Sequence, residues 1–365
     1  MIRFGTPALV LAPMEGVTDA PMRALMGKIG AFDYAVSEFF RINWTVPQPK
    51  ELLRHIPELR QSSRTPTNLP VQVQLLGGDP DRLAAAAVVA VQLGACGIDL
   101  NFGCPAKTVN RHDGGATLLK FPDRIRTIVR TVRDAVPLPI PVSAKMRLGW
   151  DTLDAIQINA DRAIEGGASW ITIHGRTRAA GYAPPIHWEP IGELRKRSPI
   201  PVIANGDIWT LDDFRRCRDI TGCEHFMLGR GALANPHLPQ AVAHELGTRS
   251  APCPDSPVNW EFWLTQLQFW SEGSPRHPPQ LMIRRFKQWL SLAAAHSDFA
   301  HFDIVKRAKS VEELLSALAN PIAAASGMQS HPESATKSEF ADLEPTCDCS
   351  TAGNPVTMWI DESVP

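Results

Sequence analysis

The chain has 365 residues, 44% hydrophobic and 21% charged, which excludes global disorder and predicts one large or two ordinary domains. Lys and Arg total 37 against 38 Asp and Glu, so the balance excludes a uniformly basic nucleic-acid binder, and no run of 18 apolar residues predicts a membrane span. The seven cysteines are odd in number and scattered, and the first residues lack the apolar core of a secretory leader, so the expectation is a reducing, cytoplasmic setting without a disulfide scaffold.

Short apolar runs recur at Ala8–Ala12, Tyr34–Ser37, Val71–Leu75, Gly97–Leu100, Val142–Met146, Trp170–His174, Val202–Asn205 and His225–Leu228. Helical patterns lie between them. Arg82–Leu93 is rich in Ala and Val; Asp123–Val136 puts Ile125, Ile128, Val129 and Val132 on one face; Ala155–Glu165 is stopped by Gly166 and Gly167. This alternation predicts a parallel sheet, and eight units predict a closed (β/α)8 TIM barrel over residues 1–245. A doubly wound sheet would carry a Gly-x-Gly-x-x-Gly turn after an early strand, and none occurs. Pro252, Pro254 and Pro257 then mark a linker. Helical patterns at Asn259–Ser271, Gln280–His296 and Phe302–Leu318 predict a small all-helical domain over residues 258–320. Residues 321–365 are small, polar and acidic without periodicity, which predicts a disordered acidic tail. That tail carries a net charge of −6, which leaves +5 on residues 1–320, and Arg276–Lys309 holds seven basic residues against two acidic ones. A polyanionic partner and a solvated helix face both fit this split.

Barrel enzymes carry their reactive groups at the carboxyl ends of the strands. Here those ends read Pro13-Met14-Glu15, Glu38, Gln74 before Gly77-Gly78, and Asn101-Phe102-Gly103-Cys104-Pro105. They continue with Lys145 and Arg147, His174-Gly175-Arg176, Asn205-Gly206-Asp207 and Gly229-Arg230-Gly231. A barrel without chemistry has little need of such a rim, so an active site is predicted there. Phosphate sites of this fold follow strands seven and eight, where glycines bring backbone N–H groups to an anion. Asn205-Gly206-Asp207 and Gly229-Arg230 fit that role, against the plainer reading of tight turns. Lys145 reads three ways: an ion-pair partner, a Schiff-base former, or a cation beside an electron-rich cofactor ring whose polar edge Gln74 would serve. His174 reads as a donor to phosphate or substrate, or as a histidine satisfied inside the barrel. Cys104 is the one cysteine on the rim and reads as nucleophile, metal ligand or general acid. Metal is disfavoured because no second Cys or His stands at ligand spacing. Cys96 is assigned to the barrel wall.

Together these residues resemble the tRNA-dihydrouridine synthase family. The matching segments are LAPMEGVTD (Leu11–Asp19), VQLLG (Val73–Gly77), DLNFGCPAKTV (Asp99–Val109), GGATLLK (Gly114–Lys120), AKMRLGW (Ala144–Trp150), IHGRT (Ile173–Thr177), PVIANGDIW (Pro201–Trp209) and MLGRGAL (Met227–Leu233). The likeness runs over about residues 6–318, and the GGATLLK segment and Arg285-Phe286-Lys287-Gln288-Trp289-Leu290 look most like the C-type branch, which acts on uridine 16 of the tRNA D-loop.

The resemblance implies an FMN-binding barrel followed by a helical tRNA-binding domain, with NADPH (or NADH) as reductant, no metal, and a monomer. Carried over by position, Pro13, Met14, Glu15, Gln74, Lys145, His174, Asn205, Gly206, Asp207, Gly229 and Arg230 would contact FMN. Arg41, Asn101 and Tyr182 would contact tRNA, and Arg276, Arg285 and Lys287 the RNA backbone. Flavin N5 would give hydride to C6 of an extruded uracil, and Cys104 would protonate C5 from the opposite face of the ring. A thiol suits that task because it stays protonated at neutral pH where a carboxyl group does not, although nearby cations pull the other way. The alternative is a small-molecule FMN oxidoreductase of the dihydroorotate or dihydropyrimidine dehydrogenase type, which has no need of a basic helical appendage. A non-catalytic RNA-binding barrel would not need a complete cofactor rim. One departure stands out: Asn110-Arg111-His112-Asp113 replaces a smaller glycine- and serine-rich run of many members, so the loop carrying Cys104 is expected to move or to recognise RNA differently.

Overall fold

A computed structural model describes residues 2–110, 113–249, 257–272, 279–297 and 299–319, and all of these belong to one compact unit. Nine strands form one sheet: β1 (Ala8–Leu11), β2 (Tyr34–Val36), β3 (Phe40–Arg41), β4 (Val71–Leu76), β5 (Ile98–Phe102), β6 (Val142–Arg147), β7 (Ile171–His174), β8 (Val202–Asn205) and β9 (His225–Leu228). Each pairs in parallel with its neighbours, and the β2–β4 pairing closes the ring. The eight staves coincide with the eight predicted runs. β3 is an addition to them: it extends the line of β2 past Ser37 and pairs Phe40 and Arg41 with Leu75 and Leu76. Two residues are too short a stretch to carry a periodic signal, so nothing in the sequence pattern marks it.

Alternation along each strand sorts the apolar side chains into two cores. Leu9 and Leu11 of β1 join the large core between barrel and helices, whereas Ala8, Val10 and Ala12 join Val36, Trp170, Ile203 and Met227 in a second, separate cluster. Polar residues occupy the inside as well. Gln72 Nε2 donates to Ser143 Oγ at 3.0 Å, Ser143 Oγ donates to Asp99 Oδ1, and Gln74 Nε2 donates to Asp99 Oδ2 at 2.7 Å. Burial raises the pKa of Asp99 even though Gln74, Ser143 and Lys145 all favour its charged form. A polar interior costs stability unless its groups are paired, and here the pairing runs up the barrel toward the rim.

The surrounding helices start where the chain supplies caps. Asp79 accepts from Arg82 N at the start of Pro80–Gln92, and Thr210 and Asp213 form a capping box at the start of Leu211–Thr221. After the barrel come Trp260–Ser271, Pro279–His296, Phe302–Val305 and Val311–Ala319. The single helix expected over Phe302–Leu318 is therefore two. Ser310 Oγ accepts from Glu313 N at 3.1 Å and begins a new helix, which the Ser-x-x-Glu spacing at 310–313 encodes.

Trp260–Ser271 packs on helix Ala20–Lys28, where Lys28 Nζ donates to Gln266 Oε1 at 2.6 Å. Pro279–His296 packs on the short helix Arg230–Ala234, and Trp289 Nε1 donates to Leu233 O at 2.6 Å. The helices thus lean on segments that follow β1 and β9. Cys96 lies exposed in the turn before β5, contrary to its expected place in the barrel wall, because the strand begins two residues later. Pro252, Pro254 and the acidic tail lie outside the described residues. Among the described residues, no helix is long and apolar enough to cross a membrane, and no three His, Cys, Asp or Glu side chains gather to hold a metal ion.

Candidate active site

The loop after β1 is fixed by Thr18, whose hydroxyl accepts from Met14 N at 2.7 Å and donates to Ala12 O. Arg23, fully buried and paired with Glu58 at 2.8 Å, donates to Thr18 O and locks the loop from behind. Glu38 Oε1 accepts from Gly16 N at 2.6 Å. Pro13, Met14 and Glu15 therefore sit on a braced loop at the carboxyl end of β1.

Cys104 sits just beyond β5, and two asparagines hold it. Asn101 Oδ1 accepts from the backbone N–H of Gly103 (3.0 Å) and Cys104 (2.9 Å), while its Nδ2 donates to Gln74 Oε1 at 2.9 Å. Asn110 Nδ2 donates to Cys104 O at 3.2 Å and to Ala106 O at 2.7 Å, and its Oδ1 accepts from Thr117 N at 2.8 Å. The segment Asn110–Asp113 thus begins with a residue that ties the Cys104 loop to the turn Gly115–Lys120; Arg111 and His112 lie outside the described residues. Burial pushes the Cys104 thiol above its ordinary pKa, and this outweighs the opposing pull of Arg147 and Arg41. Desolvation wins over the cations, so the thiol is protonated at neutral pH.

Next to it the ends of β6, β7 and β8 carry a cluster of nitrogen bases. Lys145 Nζ donates to Asn205 Oδ1 at 3.2 Å, and burial, helped by Arg147, lowers its pKa to about 8. Arg147 is buried and donates to Gly103 O (2.9 Å), Thr177 O (3.0 Å) and Gly181 O (2.7 Å), which ties the Cys104 loop to the loop after β7. His174 is held well below its ordinary pKa, first by burial and then by Arg147, Lys145, Arg176 and Arg230, and among the described residues its buried Nδ1 has no hydrogen-bond partner. Asp207 binds both Arg176 and Arg230, the latter at 3.3 Å. Tyr182, half exposed, lies over these groups: the Arg230 and Arg147 guanidinium carbons are 4.7 and 5.2 Å from its ring centroid, and His174 meets it edge-on.

Two glycines shape the floor. Gly206 has φ +118, and a Cβ there would lie 2.7 Å from Ile186 Cδ1 and 3.3 Å from His174 Nε2. A Cβ on Gly229 would stand 3.2 Å from Met14 Sδ, so the ends of β1 and β9 approach closely.

The pattern of the family described as Dihydrouridine synthase (Dus) matches residues 10–322. The chain belongs to the dihydrouridine synthase family. It is 44% identical over 285 residues to the tRNA-dihydrouridine(16) synthase of Pseudomonas putida, covering 78% of this chain and 87% of that protein. It is 43% identical over 313 residues to that of Neisseria meningitidis serogroup A, covering 84% and 92%. The Escherichia coli enzyme of the same name is 40% identical over 317 residues, covering 85% and 98%. Among solved structures, a 2-naphthoyl-CoA reductase complex superposes with a TM-score of 0.50 at 12% identity, over 65% of this chain and 50% of that one, a likeness of fold alone.

For a dihydrouridine synthase the mouth of this barrel offers a fitting flavin cradle: a half-buried lysine amine, an imidazole nitrogen without a partner among the described residues, and a glycine-lined floor at the ends of β8 and β9. Lys145, His174, Asn205, Gly206, Asp207, Gly229 and Arg230 come together there, with Met14 against Gly229. Gln74 is fully buried below them, its amide shared between Asp99 and Asn101. Of the expected tRNA contacts, Tyr182 and Arg41 lie at the mouth, while Asn101 is committed to shaping the Cys104 loop. Arg285 reaches back to ion-pair with Asp19 at the start of helix Ala20–Lys28, with its side chain only 10% exposed; this places it in the seam between helices and barrel. Lys287 is half-buried on the same helix, and Arg276 lies outside the described residues. Arg147 and Arg176 stand at strand ends in the sequence, yet only the fold reveals how tightly they bind the loops of the site.

Proposed function

We propose that the chain reduces the C5=C6 bond of a uridine in tRNA, position 16 of the D-loop, with FMN as cofactor and NADPH as reductant. Support comes from family membership over residues 10–322 and from relatives that carry the name tRNA-dihydrouridine(16) synthase. The observation that carries the chemistry is the placement of Cys104 on the rim, its loop held by Asn101 and Asn110 beside Arg41, Lys145 and Arg147, with burial raising the thiol's pKa. Lys145, His174, Asn205, Gly206, Asp207, Gly229 and Arg230, with Pro13, Met14, Glu15 and Gln74, would hold the flavin; when bound and reduced, that group supplies hydride for C6 of the uracil.

The residues of the chain do the rest. Cys104 keeps its proton because burial raises its pKa, and it gives that proton to C5. Asn101 and Asn110 fix the loop so that the thiol needs no search for its position. Lys145, with a pKa near 8, supplies positive charge below that pH where negative charge gathers on the ring system. Tyr182 and Arg41 would meet the extruded nucleotide at the mouth. The barrel over residues 1–245 would be the catalytic part, and the helices over 258–320 would orient folded tRNA by shape and backbone charge. The test is to map dihydrouridine in tRNA from a strain lacking the gene, with and without this gene restored. Dihydrouridine returning at position 16 supports the reading; its absence from every position refutes it, and its return elsewhere corrects the position.

A further inference from the structure

Halfway round the rim from the helices lies a second basic feature. Trp150, three residues past β6, is flanked by Lys120, whose Nζ is 3.8 Å from the ring centroid, and by Arg178, whose guanidinium carbon is 4.5 Å away. With Lys107 and Asn110, Trp150 and Arg178 line a groove of about 320 Å³. Its walls are firmly built. Arg178 N donates to Gly149 O at 2.8 Å and Ala179 N to Trp150 O at 2.7 Å, which pins the loop after β7 against the loop after β6. Lys120 closes the turn Gly115–Lys120, which Thr117 ties to Asn110, and Asn110 in turn holds Cys104 O.

The charges of this groove are unbalanced. Among the described residues Lys107, Lys120 and Arg178 form no ion pair, nor does Asp151 beside the tryptophan, while Asp113 is spent on Arg124 at 2.6 Å. Arg178 Nε is buried without an acceptor. Holding three cations together is unfavourable, and an indole face offsets only part of the repulsion. An anion would complete the arrangement. Arg126, Arg162, Arg197 and Arg215 on the barrel surface are each paired with a carboxylate, as these three cations are not.

We propose that this groove binds a phosphodiester of the RNA substrate next to the nucleotide presented to Cys104, forming a second hold on the barrel itself. The inference rests on the tRNA reading above and deepens it. Lys107 lies three residues beyond Cys104, so an anion bound here sits beside the loop that bears the thiol. The helices lean on segments after β1 and β9, whereas the groove is built from loops after β5, β6 and β7, across the mouth. Extruding a base pulls on the strand from both flanks, and a hold on one side alone would let the RNA pivot.

The test uses full-length, flavin-loaded protein and unmodified tRNA, comparing wild type with Lys107→Gln/Lys120→Gln/Arg178→Gln. The variant is expected to bind tRNA roughly tenfold more weakly, with the slope of log affinity against log salt reduced by about 1. Lys107→Glu alone, at an exposed position, is expected to change affinity in the same direction, which covers any folding defect of the triple variant. Unchanged tRNA affinity and salt slope in both variants, with the wild type making dihydrouridine, overturns the groove alone. A raised KM for NADPH with tRNA binding intact assigns the groove to a dinucleotide phosphate and also overturns it. A wild type that forms no dihydrouridine in any tRNA overturns the underlying reading instead.

Discussion

Lys145 enters the folded protein at a cost that can be measured. Burial and Arg147 lower its pKa from 10.5 to about 8, which corresponds to about 3 kcal/mol against the charged amine. Between about pH 8 and 10.5 the unfolded chain binds a proton that the native protein does not, so stability rises with pH through that window; below pH 8 the full penalty stands. Lys145→Met removes the penalty and also removes the bond to Asn205 Oδ1, a loss of about 1 kcal/mol. Flavin-free Lys145→Met is therefore expected to be about 2 kcal/mol more stable than wild type at pH 7. At pH 9.5 the penalty has fallen to about 1.4 kcal/mol and the gain nearly vanishes. Urea unfolding of both proteins at the two pH values reads this directly, and FMN titration by fluorescence reads the functional side, where the variant is expected to bind flavin more weakly. A variant less stable than wild type at pH 7, or equally stabilised at both pH values, would refute the assignment of a desolvated cation at this position. Unchanged FMN affinity would remove Lys145 from the cofactor site.

Asp207→Asn leaves Arg176, with a side chain 1% exposed, without its counter-charge. A loss of about 3 kcal/mol is expected in thermal unfolding, and because Asn tolerates the positive φ of 47 at this position, backbone strain would not explain it; an unchanged melting temperature would show that the pair contributes little. Arg285→Ala is expected to cost about 2 kcal/mol and to expose helix Pro279–His296 to proteolysis, since its partner is Asp19. An unchanged melting temperature combined with weaker tRNA binding would return Arg285 to the RNA surface.

The barrel was legible because a parallel sheet buried on both faces writes each strand as a short apolar run, and the helices between carry period 3.6. Ala155–Glu165 keeps both of its expected ends, with Gly166 as the stop. Phe302–Leu318 shows the opposite failure: its apolar spacing reads as one helix, although Ser310 and Glu313 spell a second start. At the site, strand-end residues identify which groups reach the rim but not what each is bonded to. Asn101 illustrates this, since its two backbone acceptor bonds depend on the turn that Gly103 and Cys104 make. The direction of the Cys104 pKa was equally beyond the sequence, which shows cations nearby but not the burial that outweighs them. Trp150, Lys120 and Arg178 come from three separate loops, and only closure of the barrel brings them to one groove.

The central claim is that Cys104 delivers the proton to a uridine reduced at this rim. Purified Cys104→Ala should remain folded, bind FMN, and accept electrons from NADPH, while its dihydrouridine formation in unmodified tRNA falls by a factor of about 100 or more. Dihydrouridine formation at the wild-type rate by that variant would contradict the account.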